Sequence, residues 1–119
     1  MAMNKADFSF IRGDTMSLEF TLSDADGHNV AIDSIDSLIL TCRKRNTLLF
    51  PVLFQKNKED FVYDSTKKNY TVTIQPEDTR ELSYGYYNFD IQVNYGGIIA
   101  TKKSSFSLTA EDTIYQPID

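Results

Sequence analysis

Between Gly85 and Tyr95 the chain alternates without a slip. Tyr87, Phe89, Ile91, Val93 and Tyr95 fall on one side, and Tyr86, Asn88, Asp90, Gln92 and Asn94 on the other. A period of two places every second side chain on one face, which is the pattern of a strand buried on that face and wet on the other. Upstream, Tyr70, Val72 and Ile74 alternate in the same way with Thr71, Thr73 and Gln75. Pro76 ends that ladder because it has no N–H to donate. Pro76-Glu77-Asp78-Thr79 then suits a first helical turn, with Pro at the first position and acidic residues at the positive end of the helix dipole. Leu82 is placed to point back to the core, and Gly85 to end the turn. The stretch therefore reads as strand, one short helical turn at 76–83, and strand. Pro76, Asp78, Leu82, Gly85 and Tyr87 form its structural corner.

The rest of the chain has the same rhythm. Phe8 and Phe10 flank Ser9, and Met16, Leu18, Phe20 and Leu22 alternate with Ser17, Glu19, Thr21 and Ser23. Val30 and Ile32 read as a short edge segment, and Leu38 to Arg43 as a further strand. Leu48 to Phe54 is an apolar run interrupted by Pro51, so it fits an edge or bulged strand. Phe61 and Tyr63 predict a short strand, with a hairpin tip over residues 64–69. Gly96-Gly97 is a hairpin signal. In the last strand, Ile98, Ala100, Phe106 and Leu108 form an inward set that Lys102 and Ser104 interrupt, which predicts a bulge there or a strand that crosses from one sheet environment to another. Turn signals recur every 8 to 12 residues or so, as in Greek-key sandwiches. The expected fold is all-β, an immunoglobulin-like antiparallel β-sandwich of roughly seven to nine strands. A chain of 119 residues fits one domain. Residues 1–6 and 110–119 are read as tails around a sandwich at 7–109.

Little in the sequence supports chemistry. The net charge is −5, and the short basic runs Arg43-Lys44-Arg45 and Lys67-Lys68 border turns, which argues against a nucleic-acid groove. Cys42 is the single cysteine and is in phase with Leu38 and Leu40, so it reads as a buried, inert thiol. His28 is the single histidine, too few for a zinc site or a His-based triad. Asp24, Asp26 and Gly27 resemble the opening of a calcium loop but lack its later ligands, and read as a turn. Arg12-Gly13-Asp14 spells an integrin-recognised tripeptide, here between two strand-like segments and read as a turn. Asp14, Asp78 and Asp90 have no spacing that brings two of them to one cleft. No catalytic residue, cofactor site or metal site is assigned, and no enzyme activity is expected. The N-terminus shows no apolar core of a signal peptide, and no stretch approaches the roughly 20 apolar residues of a membrane helix. Tyr84, Tyr86, Tyr95 and Tyr115, with nearby amides, are candidates for a glycan- or surface-binding face.

Pro76-Glu77-Asp78-Thr79 followed by Tyr86-Tyr87 is similar to the corner between strands E and F of antibody variable domains. Here the Tyr pair comes later, no Cys follows it, and the chain has no Trp. A wider resemblance lies in the order of motifs. These are Arg12-Gly13-Asp14-Thr15, the alternating strand Met16 to Leu22, the Asp24 to Gly27 turn, Leu38 to Arg43, Pro76 to Ile91, and the strand Thr101 to Leu108. The series resembles the immunoglobulin-like N-terminal domain of phage baseplate upper proteins and related small tail or neck proteins. It covers roughly residues 8–109, but Lys103-Ser104-Ser105 replace the glycines expected there, and residues 48–64 match nothing in the family. The resemblance implies a virion structural role, assembly in a bacterial cytoplasm, and docking to other virion proteins, with self-association in a ring as one form. It implies no catalytic residues. Leu48, Leu49, Phe50, Val52 and Phe54 are the candidate interface.

Overall fold

A computed structural model describes residues 8–44 and 49–109. The described residues form a two-layer all-β sandwich of eight strands. In chain order these are β1 (Phe8–Ile11), β2 (Met16–Phe20), β3 (Ser37–Arg43), β4 (Val52–Lys56), β5 (Phe61–Asp64), β6 (Asn69–Ile74), β7 (Gly85–Tyr95) and β8 (Ile98–Thr109). One four-residue helix, α1 (Pro76–Thr79), joins β6 to β7. Hydrogen-bonded turns carry it on to Leu82, through Arg80 N–H to Pro76 O and Leu82 N–H to Thr79 O.

The larger sheet has the order β1-β8-β7-β3-β4 and the smaller one β2-β6-β5. Lettered in chain order, with β4 as an extra strand after C, these are A-G-F-C-C′ and B-E-D. That is the arrangement of immunoglobulin-like sandwiches, except that the first strand lies beside the last one and not beside the second. The β1–β8 pair is parallel, from Phe8 opposite Phe106 to Ile11 opposite Thr109, while every other pairing is antiparallel.

The core forms where the alternation predicts it. Tyr87, Phe89, Ile91 and Val93 from β7 are buried with Leu38, Leu40 and Cys42 from β3 and with Tyr70, Val72 and Ile74 from β6. Aromatic rings form two clusters between the sheets. Phe8, Phe10, Phe89 and Phe106 pack together near β1. Phe20, Phe61, Tyr63 and Tyr70 pack together across the three strands of the smaller sheet. The Tyr70 hydroxyl is satisfied by the Val30 carbonyl at 2.6 Å, so the ring is buried without stranding its polar tip.

Two local expectations are corrected. No bulge interrupts β8, because its pairing with β7 runs unbroken from Tyr95–Ile98 to Gly85–Leu108. Lys102 occupies an inner-face position because the smaller sheet leaves it uncovered, and it stays exposed. Ile32 does not extend an edge strand. It opens a 3-10 turn at Ile32–Ser34, after a hairpin held by Val30 N–H to Leu22 O and by a bridge between Ser23 and Asn29. The Gly96-Gly97 hairpin has φ of +57° and +81°, both in the left-handed region that a two-residue turn of this hand requires.

Candidate docking edge and the corner beside it

The corner ties together segments far apart in sequence. Within it, the Asp78 carboxylate accepts the Gln75 N–H at 2.7 Å, capping α1. The same Oδ2 receives Lys56 Nζ at 2.7 Å, with both side chains mostly buried, so β4 of the larger sheet is pinned to the corner. Thr79 is fully buried, and its hydroxyl accepts the Gly13 N–H at 3.0 Å. Arg12 donates to the Leu82 carbonyl at 3.0 Å, and its guanidinium lies 4.5 Å from the centre of the Tyr84 ring. Leu82 itself is half-buried against the core.

Tyr87 closes the other side. Its hydroxyl donates to the Ser83 carbonyl at 2.6 Å, four residues upstream, as in the tyrosine corner of Greek-key sandwiches. Lys44 Nζ lies 4.3 Å from the centre of the Tyr87 ring and donates to the Tyr86 carbonyl at 2.9 Å. Gly85 sits beneath that ammonium with φ of +133°, and a Cβ there would lie 3.1 Å from Nζ. Glycine meets both demands, the backbone angle and the close approach.

Among the described residues, β4 is the outermost strand of the larger sheet on its side. Leu49 and Val52 are 90% and 44% exposed, whereas Leu53 and Phe54 pack against the core. Phe50 is half-buried, and its carbonyl accepts the Arg43 Nε–H at 3.0 Å. Leu48 lies outside the described residues. Pro51 stands just before β4, which begins at Val52, with a register shift against β3 between Cys42 and Arg43. The run is therefore split between core and surface, with the exposed part at an open sheet edge.

The other candidate residues fall as follows. Cys42 is fully buried, and desolvation first, then the nearby Asp78 charge, pushes its thiol up to about 12. Such a group holds its proton at neutral pH and is a poor nucleophile. Asp24, Asp26 and His28 bring their ligand atoms within 4.8 Å of one another. The Asp24 carboxylate accepts the His28 and Asp26 N–H groups at 2.9 Å, and the His28 bond leads in lowering its pKa. This is the geometry of an Asx turn. In the tripeptide at 12–14, Arg12 is committed to the corner, and Asp14 is exposed in a turn whose N–H reaches Ile11 O. Asp78 is engaged by Lys56, and Asp90 lies on the polar outer face of β7.

Lys44 is bound at the corner, and Lys67 and Lys68 are exposed in the turn between β5 and β6. Tyr84 and Tyr86 are exposed, Tyr95 packs against the core, and Tyr115 lies outside the described residues. No helix among the described residues is long and apolar enough to cross a membrane.

Lys56, Lys44 and Arg12 were not among the corner residues expected from the sequence. Each is a cation distant from residues 70–95 along the chain, and only the strand pairing brings it to the corner. Comparison of the sequence with family models and with curated proteins finds no match.

Proposed function

We propose that the chain is a structural module of a phage or prophage virion, in the tail, baseplate or neck, and that it acts by docking to other virion proteins. The observation that carries the docking part is the β4 edge. Among the described residues it is an open strand at the margin of the larger sheet, preceded by the exposed Leu49 and carrying the exposed Val52. Such an edge offers main-chain hydrogen bonds and apolar contact to a partner. Pro51 limits how far uncontrolled strand pairing can spread. The virion part rests on the motif order described above, and it is supported by the contact between two of those motifs, Gly13 with Thr79 and Arg12 with Leu82. Docking around a closed ring would repeat one such contact between copies.

The test is particle association. Particles purified from a culture that makes the chain should contain it at a fixed ratio to the major structural protein. Recovery solely as a free soluble monomer would sink the proposal. A second reading, a glycan-binding face, is supported by the neighbouring Tyr84 and Tyr86, both about half exposed. A glycan array without hits would remove it.

A further inference from the structure

Among the described residues the smaller sheet is short by one strand. In immunoglobulin-like sandwiches the first strand borders strand B. Here β1 lies against β8 and pairs solely with Phe106–Thr109. Among the described residues, this placement of β1 leaves two edges without a strand beside them, in addition to the outer edges of β1, β4 and β5. One is the outer edge of β2, which pairs with β6 alone. The other is the outer edge of β8 from Ile98 to Lys103.

Between these edges the apolar interior is open. A cavity of about 210 Å³ lies among Phe8, Leu18, Glu19, Phe20, Phe89 and Ile91. A second, of about 110 Å³, continues it past Val93 and Ala100. For comparison, an apolar cavity of roughly 150 Å³ admits a benzene molecule. Lys102 lines both cavities from their β8 side. Lys103, next in the strand, points to the opposite face. Ile98 and Ile99, at the start of β8, are 55% and 63% exposed. Among the described residues neither lysine has a carboxylate within ion-pair distance, in a chain of net charge −5.

We propose that this groove accepts an extended segment of another protein by strand addition to β8. The segment is apolar at alternate positions, which fill the two cavities, and it carries adjacent carboxylates that meet Lys102 and Lys103. The β8 edge supplies the main-chain ladder and the pockets select the side chains. The lysines select for an acidic strand and repel a basic one. This site lies at the opposite margin of the larger sheet from β4 and does not depend on the docking role of that edge.

The experiment titrates the full chain with the peptide Thr-Val-Glu-Glu-Thr-Val-Thr-Val and with its counterpart bearing Lys in place of both Glu. Binding is followed by calorimetry and by amide chemical shifts. The acidic peptide should bind with a dissociation constant of about 100 μM or tighter. Its shifts should centre on Ala100–Lys103 and on β2. Lys102→Glu should weaken it about tenfold and reverse the preference toward the basic peptide. The lysine is exposed, so the variant should melt with the parent, which separates lost binding from lost fold.

Several outcomes would overturn the proposal. No saturable binding up to about 1 mM would mean that the lysines simply blunt the edge against pairing. Shifts confined to β4, or indifference to both charge reversals, would also count against it. A gain above about tenfold on deleting residues 1–7 would assign the groove to the chain's own N-terminus. A dimer without peptide that Lys102→Glu dissolves would assign it to a second copy. Particle association with no peptide binding would leave the virion role standing and remove this groove from it. Peptide binding without particle association would do the reverse.

Discussion

The Gly13 N–H donates to the Thr79 hydroxyl at 3.0 Å, across 66 positions of sequence. Thr79 is fully buried, and the turn after β1 is fastened to the corner between β6 and β7 through it. Replacing Thr79 by Val keeps the shape but leaves the amide without its acceptor. The expected cost is about 1–2 kcal/mol in urea unfolding, because a polar group in a part-buried site loses its partner. Thr79→Ser keeps the hydroxyl and should recover part of that loss. A Val variant as stable as the parent would show that the amide finds water instead.

Tyr87 has a comparable role at the other end of the corner. Tyr87→Phe removes the hydroxyl that donates to Ser83 O at 2.6 Å and leaves the buried ring in place. The expected loss is about 0.5–1.5 kcal/mol. The midpoint of denaturant unfolding should fall while its slope holds, since the surface exposed on unfolding is unchanged.

The Lys56–Asp78 pair is mostly buried, and its two partners should respond differently to truncation. Asp78→Ala removes the acceptor for both Lys56 and the Gln75 N–H, leaving an ammonium in a low-dielectric site. A loss of about 3–5 kcal/mol is expected. Lys56→Met keeps the packing of the stem, and the carboxylate retains its backbone donor, so the loss should be smaller. Thermal unfolding of the two variants decides the order. An equal loss would mean that the ion pair alone carries the effect and that the cap contributes nothing.

How much of this was legible in sequence depends on the distance over which each signal acts. The β7 strand and the α1 turn were readable because period-two alternation and a Pro at the first helical position are local. The buried state of Cys42 followed from its phase with Leu38 and Leu40. In β8 the bulge reading failed, because Lys102 at an inward position signals a bulge only if a facing strand covers it, and none among the described residues does. The side of the sandwich that β1 joins is a choice between two edges, and alternation is the same for both. Lys56 and Arg12 reach the corner through strand pairing, so no spacing in sequence reveals them. In the apolar run around Pro51, composition could not separate Val52, which faces solvent, from Phe54, which faces the core.

Alkaline pH should unfold the protein through two buried acids. Burial pushes the Cys42 thiol from 9.0 to about 12, with the Asp78 charge adding to it. Burial, then Tyr63 and Asp33, push the Tyr70 phenol from 10.0 to about 12. Both folded values are raised, so the folded state holds protons that the unfolded chain has released. The stability from each is fully present below its unfolded value and declines as pH rises toward the folded one. Melting temperature should therefore drop from about pH 9 for the thiol and about pH 10 for the phenol, continuing to about pH 12. The variant Cys42→Ala, Tyr70→Phe should start less stable and show a shallower decline. A parent profile flat across that window would contradict the assignment. A thiol reagent should label Cys42 in the unfolded chain and leave the folded one unmodified.

The β4 edge gives the sharpest separation between folding and docking. Leu49 and Val52 are exposed, so their loss removes little buried surface. Leu49→Ser together with Val52→Lys should change stability by no more than about 0.5 kcal/mol, as for ordinary surface substitutions. A lysine at the margin of the sheet would block strand pairing there and add an unpaired charge to any apolar contact. The protein should fold, melt with the parent, and fail to enter particles assembled in cells that supply it in place of the parent chain. Phe54→Ala is the contrasting variant. Its side chain packs against the core, so it should lower the melting temperature before it affects assembly. If the surface pair enters particles as well as the parent does, the β4 edge is not the docking surface. If it instead melts early, Val52 contributes to the fold more than its exposure implies.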